Sequence, residues 1–136
     1  MIEIVEVNSR KLLNTFIKLP AKIHVGHKNW VPPIYLDDWI YFRKEKNKSF
    51  LHCDTILALA YKDGKPVGRI MGIINHRYNS VSGDNDARFS CMETWNDKEV
   101  FHALISFIEK WAKDRECDNL VGPLGFSDKD PQGFQV

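Results

Sequence analysis

The stretch that most limits this chain's fold is residues 55–61, then Lys62-Asp63-Gly64-Lys65, then residues 66–74. Two apolar, strand-like runs flank an Asp-Gly pair. Asp-Gly suits a two-residue hairpin turn, whose central residues both need positive φ. The chain is therefore expected to contain an antiparallel sheet, and an all-helical architecture is excluded.

Other elements are expected around this hairpin. Residues 2–7 alternate apolar and acidic side chains with the period of a strand. Ser9 can cap a helix whose apolar face carries Leu12, Leu13, Phe16 and Ile17, with Pro20 breaking or bending it. His27-Lys28-Asn29-Trp30-Val31-Pro32-Pro33 reads as an ordered loop with Trp30 as a packed plug, because paired prolines force extended backbone. Residues 34–42 suit a short second helix. Residues 75–86 are polar and turn-rich, and residues 87–95 read as a strand. Residues 97–116 form the clearest helix: Val100, Leu104, Phe107, Ile108 and Trp111 make one stripe, and Asn96 with Glu99 makes a start resembling a capping box. Trp95 and Trp111 are expected in the core. Residues 119–122 suit a final strand.

The expected order is strand, helix, helix, strand, strand, strand, helix, strand. At 136 residues the chain suits one domain with a real core. The expected division is 1–122 as the folded unit and 123–136 as an irregular tail. The net charge of +1 gives no general pull toward nucleic acid or anionic membrane. Arg43-Lys44-Glu45-Lys46-Asn47-Lys48 lacks the interleaved aromatics of a base-stacking surface. No apolar run approaches the roughly 20 residues needed to span a bilayer. Cys53, Cys91 and Cys117 are odd in number and show no CxxC spacing, which argues against a disulfide framework and for a reducing cytoplasm. His24, His27, His52, His76 and His102 show no helical i, i+4 pair, so no metal site is expected.

Residues 91–100 are the most informative for function. They run from a strand end into a helix N-terminus, where free backbone N–H groups and the helix dipole favour an anion. Phosphate cradles there usually contain glycine, because backbone must approach ligand closely. This turn has none, and it carries Glu93, Asp97 and Glu99. Its chemistry suits helix capping.

Four segments carry a resemblance. They are Asn29-Trp30-Val31-Pro32-Pro33, Asp63-Gly64-Lys65-Pro66-Val67-Gly68-Arg69-Ile70, Ile74-Asn75-His76-Arg77-Tyr78-Asn79 and Gly122-Pro123-Leu124-Gly125-Phe126-Ser127. With the element order, they make the chain resemble the N-terminal part of the GNAT superfamily of N-acetyltransferases, within an uncharacterised bacterial group. The resemblance implies an α/β (α+β) fold: a mixed, mostly antiparallel sheet flanked by helices, with the family's last helix and strands missing here. It implies acetyl-CoA as co-substrate, its pantetheine arm in a gap between the fourth and fifth strands, and direct attack by an amine on the thioester. Its cofactor-binding positions would be Cys91, Met92, Glu93, Thr94, Asn96, Asp97 and Lys98, with Glu93 as the base. Substrate contacts would come from His76, Arg77, Tyr78, Gly125 and Phe126.

Two departures from that family follow. The pyrophosphate loop should resemble Gln/Arg-x-x-Gly-x-Gly/Ala and does not, and the usual tyrosine acid is missing. The isolated chain is therefore expected to show no turnover. The other reading is a binding or assembly module that has lost acetyl-CoA binding. Glu93 itself reads either as the base or as a solvent-facing strand-end residue, and Cys91, on the same strand parity, as a buried thiol. His76, Arg77 and Tyr78 read either as anion or substrate contacts or as a loop anchor. An exposed fifth-strand edge implies a homodimer or domain swap.

Overall fold

A computed structural model describes residues 1–126 and 130. Its spine is a five-stranded sheet in the order β1-β2-β3-β4-β5: β1 (Ile2–Glu6), β2 (Cys53–Lys62), β3 (Lys65–Asn75), β4 (Asp86–Thr94) and β5 (Asn119–Val121). The first four strands pair antiparallel, and β5 pairs parallel to β4. The hairpin turns at Asp63 and Gly64 with φ of 52° and 78°, so Asp-Gly supplies the twist that joins β2 to β3.

Strand alternation divides the core in two. One face presents Ala58, Ala60, Ile70 and Ile74 to α4 (Lys98–Asp114), which buries Val100, Leu104, Ile108 and Trp111 against them. The other face presents Leu59, Met71 and Ile73 to α1 (Arg10–Ile23), which buries Phe16, Ile17 and Leu19. Gly68 of β3 lets α4 come close: a Cβ there would stand 2.9 Å from both Leu104 Cδ1 and Val100 Cγ1.

Several expectations need correction. Pro20 does not end the first helix; α1 runs through it to Ile23. A helix interior tolerates proline only if the freed carbonyl finds another donor. That carbonyl is Phe16 O, four residues back, and Arg69 Nη1–H donates to it at 2.8 Å. The polar stretch after β3 is not all turn, since His76–Ser82 form a helix, α3. Asn75 caps it by accepting from Tyr78 N, and Gly83 ends it in the left-handed region. Helix α2 spans Tyr35–Tyr41, and a 3-10 turn covers Lys48–His52. The cap of α4 is Asp97 rather than Asn96; its carboxylate accepts from Glu99 N and Val100 N.

Among the described residues, no helix is long and apolar enough to cross a membrane.

Candidate functional site

Strand β5 follows β4 only as far as Arg88, which pairs with Val121. After the cis peptide at Gly122-Pro123, Leu124 N–H donates to Phe89 O at 2.9 Å. Among the described residues, no strand pairs with residues 90–94 on the side away from β3. Strand β4 also bulges here. Gly68 pairs with Thr94 and Arg69 with Glu93, but Met71 pairs with Ser90, and Cys91 has φ of 57°. Two residues, Cys91 and Met92, thus face one on β3. The bulge leaves Cys91 and Glu93 on the α1 face of the sheet, as their strand parity predicts, while Met92 turns to the α4 face.

A cavity of about 360 Å³ opens beside this edge. Its β4 wall is Ser90, Cys91, Met92 and Glu93; the facing wall comes from His24, Trp30, Asp38 and Tyr41. Arg69 stabilises both walls. Besides Phe16 O, it donates from Nε–H to Cys91 O at 3.1 Å, and its guanidinium lies 4.8 Å from the Phe16 ring centre. One side chain thus joins the proline-freed turn of α1 to the bulge of β4.

Glu93 is not a solvent-facing strand end. Its Oε2 lies 2.9 Å from His24 Nε2, and both side chains are largely covered, with 28% and 22% exposed. His24 Nδ1 lies 2.9 Å from His27 Nδ1. His24 also stacks on Trp30, with ring centres 5.4 Å apart and planes inclined by 17°. Trp30 is therefore a stacking partner on the cavity wall, not simply a plug.

Burial raises the Asp38 carboxyl above its ordinary range, against the pull of the Arg69 guanidinium. Burial also raises Tyr41, assisted by the nearby Cys91 and Asp130. Tyr41 thus keeps its proton, and its O–H donates to Asp130 Oδ2 at 3.1 Å. Cys91 is pushed up by burial, with Arg69 and Ser90 opposing, so its thiol stays protonated and is a poor nucleophile.

The remaining cofactor positions lie past the cavity's β4 wall. Thr94 ends β4, and its hydroxyl donates to Trp95 O at 3.0 Å. Trp95 is 40% exposed, not core; Asn96 is exposed, and Lys98 begins α4. Asp97 also binds Lys62 Nζ at 3.0 Å.

The substrate positions are divided. His76, Arg77 and Tyr78 lie in α3, at the start of β4 rather than its end. Counting along the strand from the Ile73–Arg88 pair, they stand on the order of 20 Å from Glu93. There His76 Nε2 meets Asp54 Oδ2 at 3.1 Å, and Tyr78 faces the Arg88 guanidinium at 4.7 Å. Gly125 and Phe126 are buried, and their carbonyls accept from Arg88 Nη1 at 3.0 and 3.2 Å. Phe126 packs on Tyr41, with ring centres 5.4 Å apart. The structure thus brings Cys91, Met92 and Glu93 together at the cavity and leaves the His76–Tyr78 cluster elsewhere. Sequence reasoning missed His24, Asp38, Tyr41, Arg69 and Asp130 at the site. Of these, only Arg69 carried a signal, as the partner that Pro20 inside α1 requires.

No protein-family model matches the chain. It is 28% identical over 136 residues to a bacterial ceramide synthase of Caulobacter vibrioides, covering 99% of this chain and 35% of that protein. It is 26% identical over 124 residues to Protein YghO of Escherichia coli, covering 91% and 32%. The chain thus spans about a third of the length of these curated relatives. Among solved structures, a tandem GNAT protein from the clavulanic acid biosynthesis pathway superposes with a TM-score of 0.66 at 15% identity, covering 88% of this chain and 35% of that one. AAC(6')-Iy, in complex with the bisubstrate analogue CoA-S-monomethyl-acetylneamine, gives 0.62 at 16%, covering 95% and 83%. Glucosamine-6-phosphate N-acetyltransferase from Arabidopsis thaliana gives 0.61 at 13%, covering 100% and 96%. The chain has the fold of the GNAT acetyltransferases.

Proposed function

We propose that this chain is an acyl-CoA-dependent N-acyltransferase-like domain, with its amine acceptor in the cavity beside β4. The observation that supports this reading best is Glu93, held by His24 on the wall of a cavity at the edge of β4 that no described strand covers. An ammonium cannot attack a thioester until it loses a proton. Glu93 is the carboxylate placed to accept it, within a wall that also carries Asp38 and Asp130. Trp30, Pro20, Pro33 and Met92 line the same space with apolar surface.

Acetyl-CoA, the acyl donor of this reading, would supply the thioester. The edge of β4 left open among the described residues suits its extended arm, with Cys91 and Met92 along the wall. The N-terminus of α4 does not suit its pyrophosphate. The Asp97 carboxylate already takes two of the N–H groups a phosphate would need, and it is negative. That mismatch favours the second reading, a non-catalytic GNAT-fold module that has lost acetyl-CoA binding and assembles through the outer edge of β5. We place the protein in the cytoplasm on its three free cysteines.

The acceptor class we infer is an amine with an apolar chain. A ceramide is an amide of a long-chain amine, and one relative is named as a ceramide synthase. Here, Trp30, Pro33, Phe42 and Met92 give the cavity wall apolar surface, and the exposed Val31 and Ile34 neighbour Trp30 and Pro33 in sequence. Calorimetric titration with acetyl-CoA tests the reading, followed by thiol release assays with short polar and long-chain amines. Saturable binding and amine-dependent thiol release support the enzyme; no heat up to millimolar acetyl-CoA supports the non-catalytic module. A sedimentation run showing only monomer would remove its assembly through β5.

A further inference from the structure

In the sequence, His24 and His27 stand only among the histidines that show no i, i+4 metal pair. The structure gives them a definite hydrogen-bonding logic. An ionised carboxylate only accepts, so the 2.9 Å contact between Glu93 Oε2 and His24 Nε2 requires a proton on Nε2. A neutral imidazole carries one proton, so Nδ1 of His24 is then bare. It lies 2.9 Å from His27 Nδ1, and a contact between two ring nitrogens needs one proton shared between them. With both rings neutral, that proton comes from His27.

We propose that His27, on the solvent side, fixes His24 as its Nε2–H tautomer, and that His24 so fixed holds the Glu93 carboxylate at the cavity wall. The three groups form one directed chain: His27 Nδ1–H to His24 Nδ1, then His24 Nε2–H to Glu93 Oε2. Trp30 stacks on His24 and limits rotation of the ring. His24 occupies one oxygen of Glu93 and leaves Oε1 to receive the proton of an ammonium. His27 lines no part of the cavity and is exposed. It is thus a positioning residue, acting on Glu93 through His24. The other charged groups of the cavity are Asp38, Arg69 and Asp130, and Arg69 is directed at Phe16 O and Cys91 O rather than at the histidines.

The role given to Glu93 in catalysis rests on the N-acyltransferase reading; the tautomer does not. The test is long-range nitrogen–proton NMR of the imidazoles, recorded at an alkaline pH at which the spectra themselves show both rings neutral. The expected spectrum shows His24 protonated at Nε2 and His27 at Nδ1. His27→Ala is expected to give His24 a mixture of both tautomers, and His27→Asn, whose amide N–H can replace the lost donor, to restore the single form. His24 protonated at Nδ1, or a His24 signal unchanged in His27→Ala, would overturn the proposal. His27 is exposed, so His27→Ala is expected to fold, and its circular dichroism checks this. If wild-type protein transfers acyl groups, His27→Ala is expected to lower kcat with little change in KM for the acyl donor; an unchanged kcat would remove the positioning role. If the wild-type protein transfers nothing to any amine, the N-acyltransferase reading fails, while the spectrum still decides the tautomer.

Discussion

Arg69 donates from Nη1 to the carbonyl oxygen of Phe16 at 2.8 Å, filling the place of the N–H that Pro20 lacks. A helical carbonyl left without a donor inside the protein costs about 1–3 kcal/mol. Arg69→Met is expected to destabilise the protein by at least that amount, since the contact to Cys91 O is lost as well. Pro20→Ala restores the missing N–H. In the double variant the penalty for losing Arg69 is therefore expected to shrink by about 1 kcal/mol, read from urea midpoints in a double-mutant cycle. Strict additivity would show that the two residues do not share this carbonyl.

Gly68 tests the packing that sets the height of α4 over the sheet. An added Cβ meets Val100 and Leu104 at 2.9 Å and the Glu93 carbonyl oxygen at 3.3 Å. Both side chains are fully buried, so neither can move aside without displacing others. Gly68→Ala is expected to cost about 1–3 kcal/mol by overpacking. Thermal unfolding at wild-type temperature would show that α4 is free to shift outward.

How far the sequence foretold this structure depended on the range of the interactions. The hairpin was legible because Asp63 and Gly64 carry a local requirement for positive φ. Helix α4 was legible because its stripe repeats over several turns. Helix α3 was missed because its seven residues are too few to show a period, although its Asn75 cap and Gly83 stop were both in the sequence. At the site, Glu93 was singled out because it lies near the end of the strand expected to face the gap, and the structure places it on the cavity wall. His24 was not, because it lies 69 residues from Glu93 and only the sheet brings the two together. The bulge at Cys91 was hidden for the same reason: it exists only relative to the register of β3.

The Lys62–Asp97 pair predicts a pH window. The Lys62 hydrogen bond, foremost, and the backbone N–H groups of Val100 and Glu99 hold Asp97 below its ordinary 3.8. Lys62 is raised above 10.5, chiefly by its hydrogen bond to Asp97. A depressed carboxyl stabilises the fold above its unfolded pKa, and that contribution is lost as pH falls through the folded value. A raised ammonium stabilises below its unfolded pKa, and that contribution is lost as pH rises through the folded value. The pair's contribution is thus expected to be constant from about pH 5 to 9, to decline below about pH 4, and to decline again above about pH 10.5. Comparing wild type with Lys62→Met across that range checks it: the difference in melting temperature should be flat in the middle and shrink at both ends.

The cysteines predict chemical inertness. Burial pushes Cys53 up to about 11, and burial also raises Cys91 and Cys117. For Cys53 that leaves on the order of one thiolate in a thousand at pH 8. Alkylation by iodoacetamide at pH 8 is therefore expected to run much slower than for the same thiols in urea. A single fast-reacting cysteine in the folded protein, located by peptide mapping, would show a local field that the surrounding groups do not supply.

Asp97 bears most directly on whether acyl-CoA binds. Its carboxylate accepts from Glu99 N at 3.0 Å and Val100 N at 3.4 Å, the groups a pyrophosphate would otherwise engage. Glycine at a helix N-cap loses only a few tenths of a kcal/mol relative to the best capping residues in general. Asp97→Gly would free both N–H groups, remove one negative charge and let backbone approach a phosphate. Lys62 would then be left without its carboxylate partner and available to the same anion. The variant is therefore expected to bind CoA several-fold more tightly than the wild type, measured by calorimetry, with a steeper loss of affinity in salt. Equal affinity in the two proteins would place the CoA phosphates away from the N-terminus of α4, and tighter binding by the wild type would mean that the Asp97 cap supports the site rather than obstructing it.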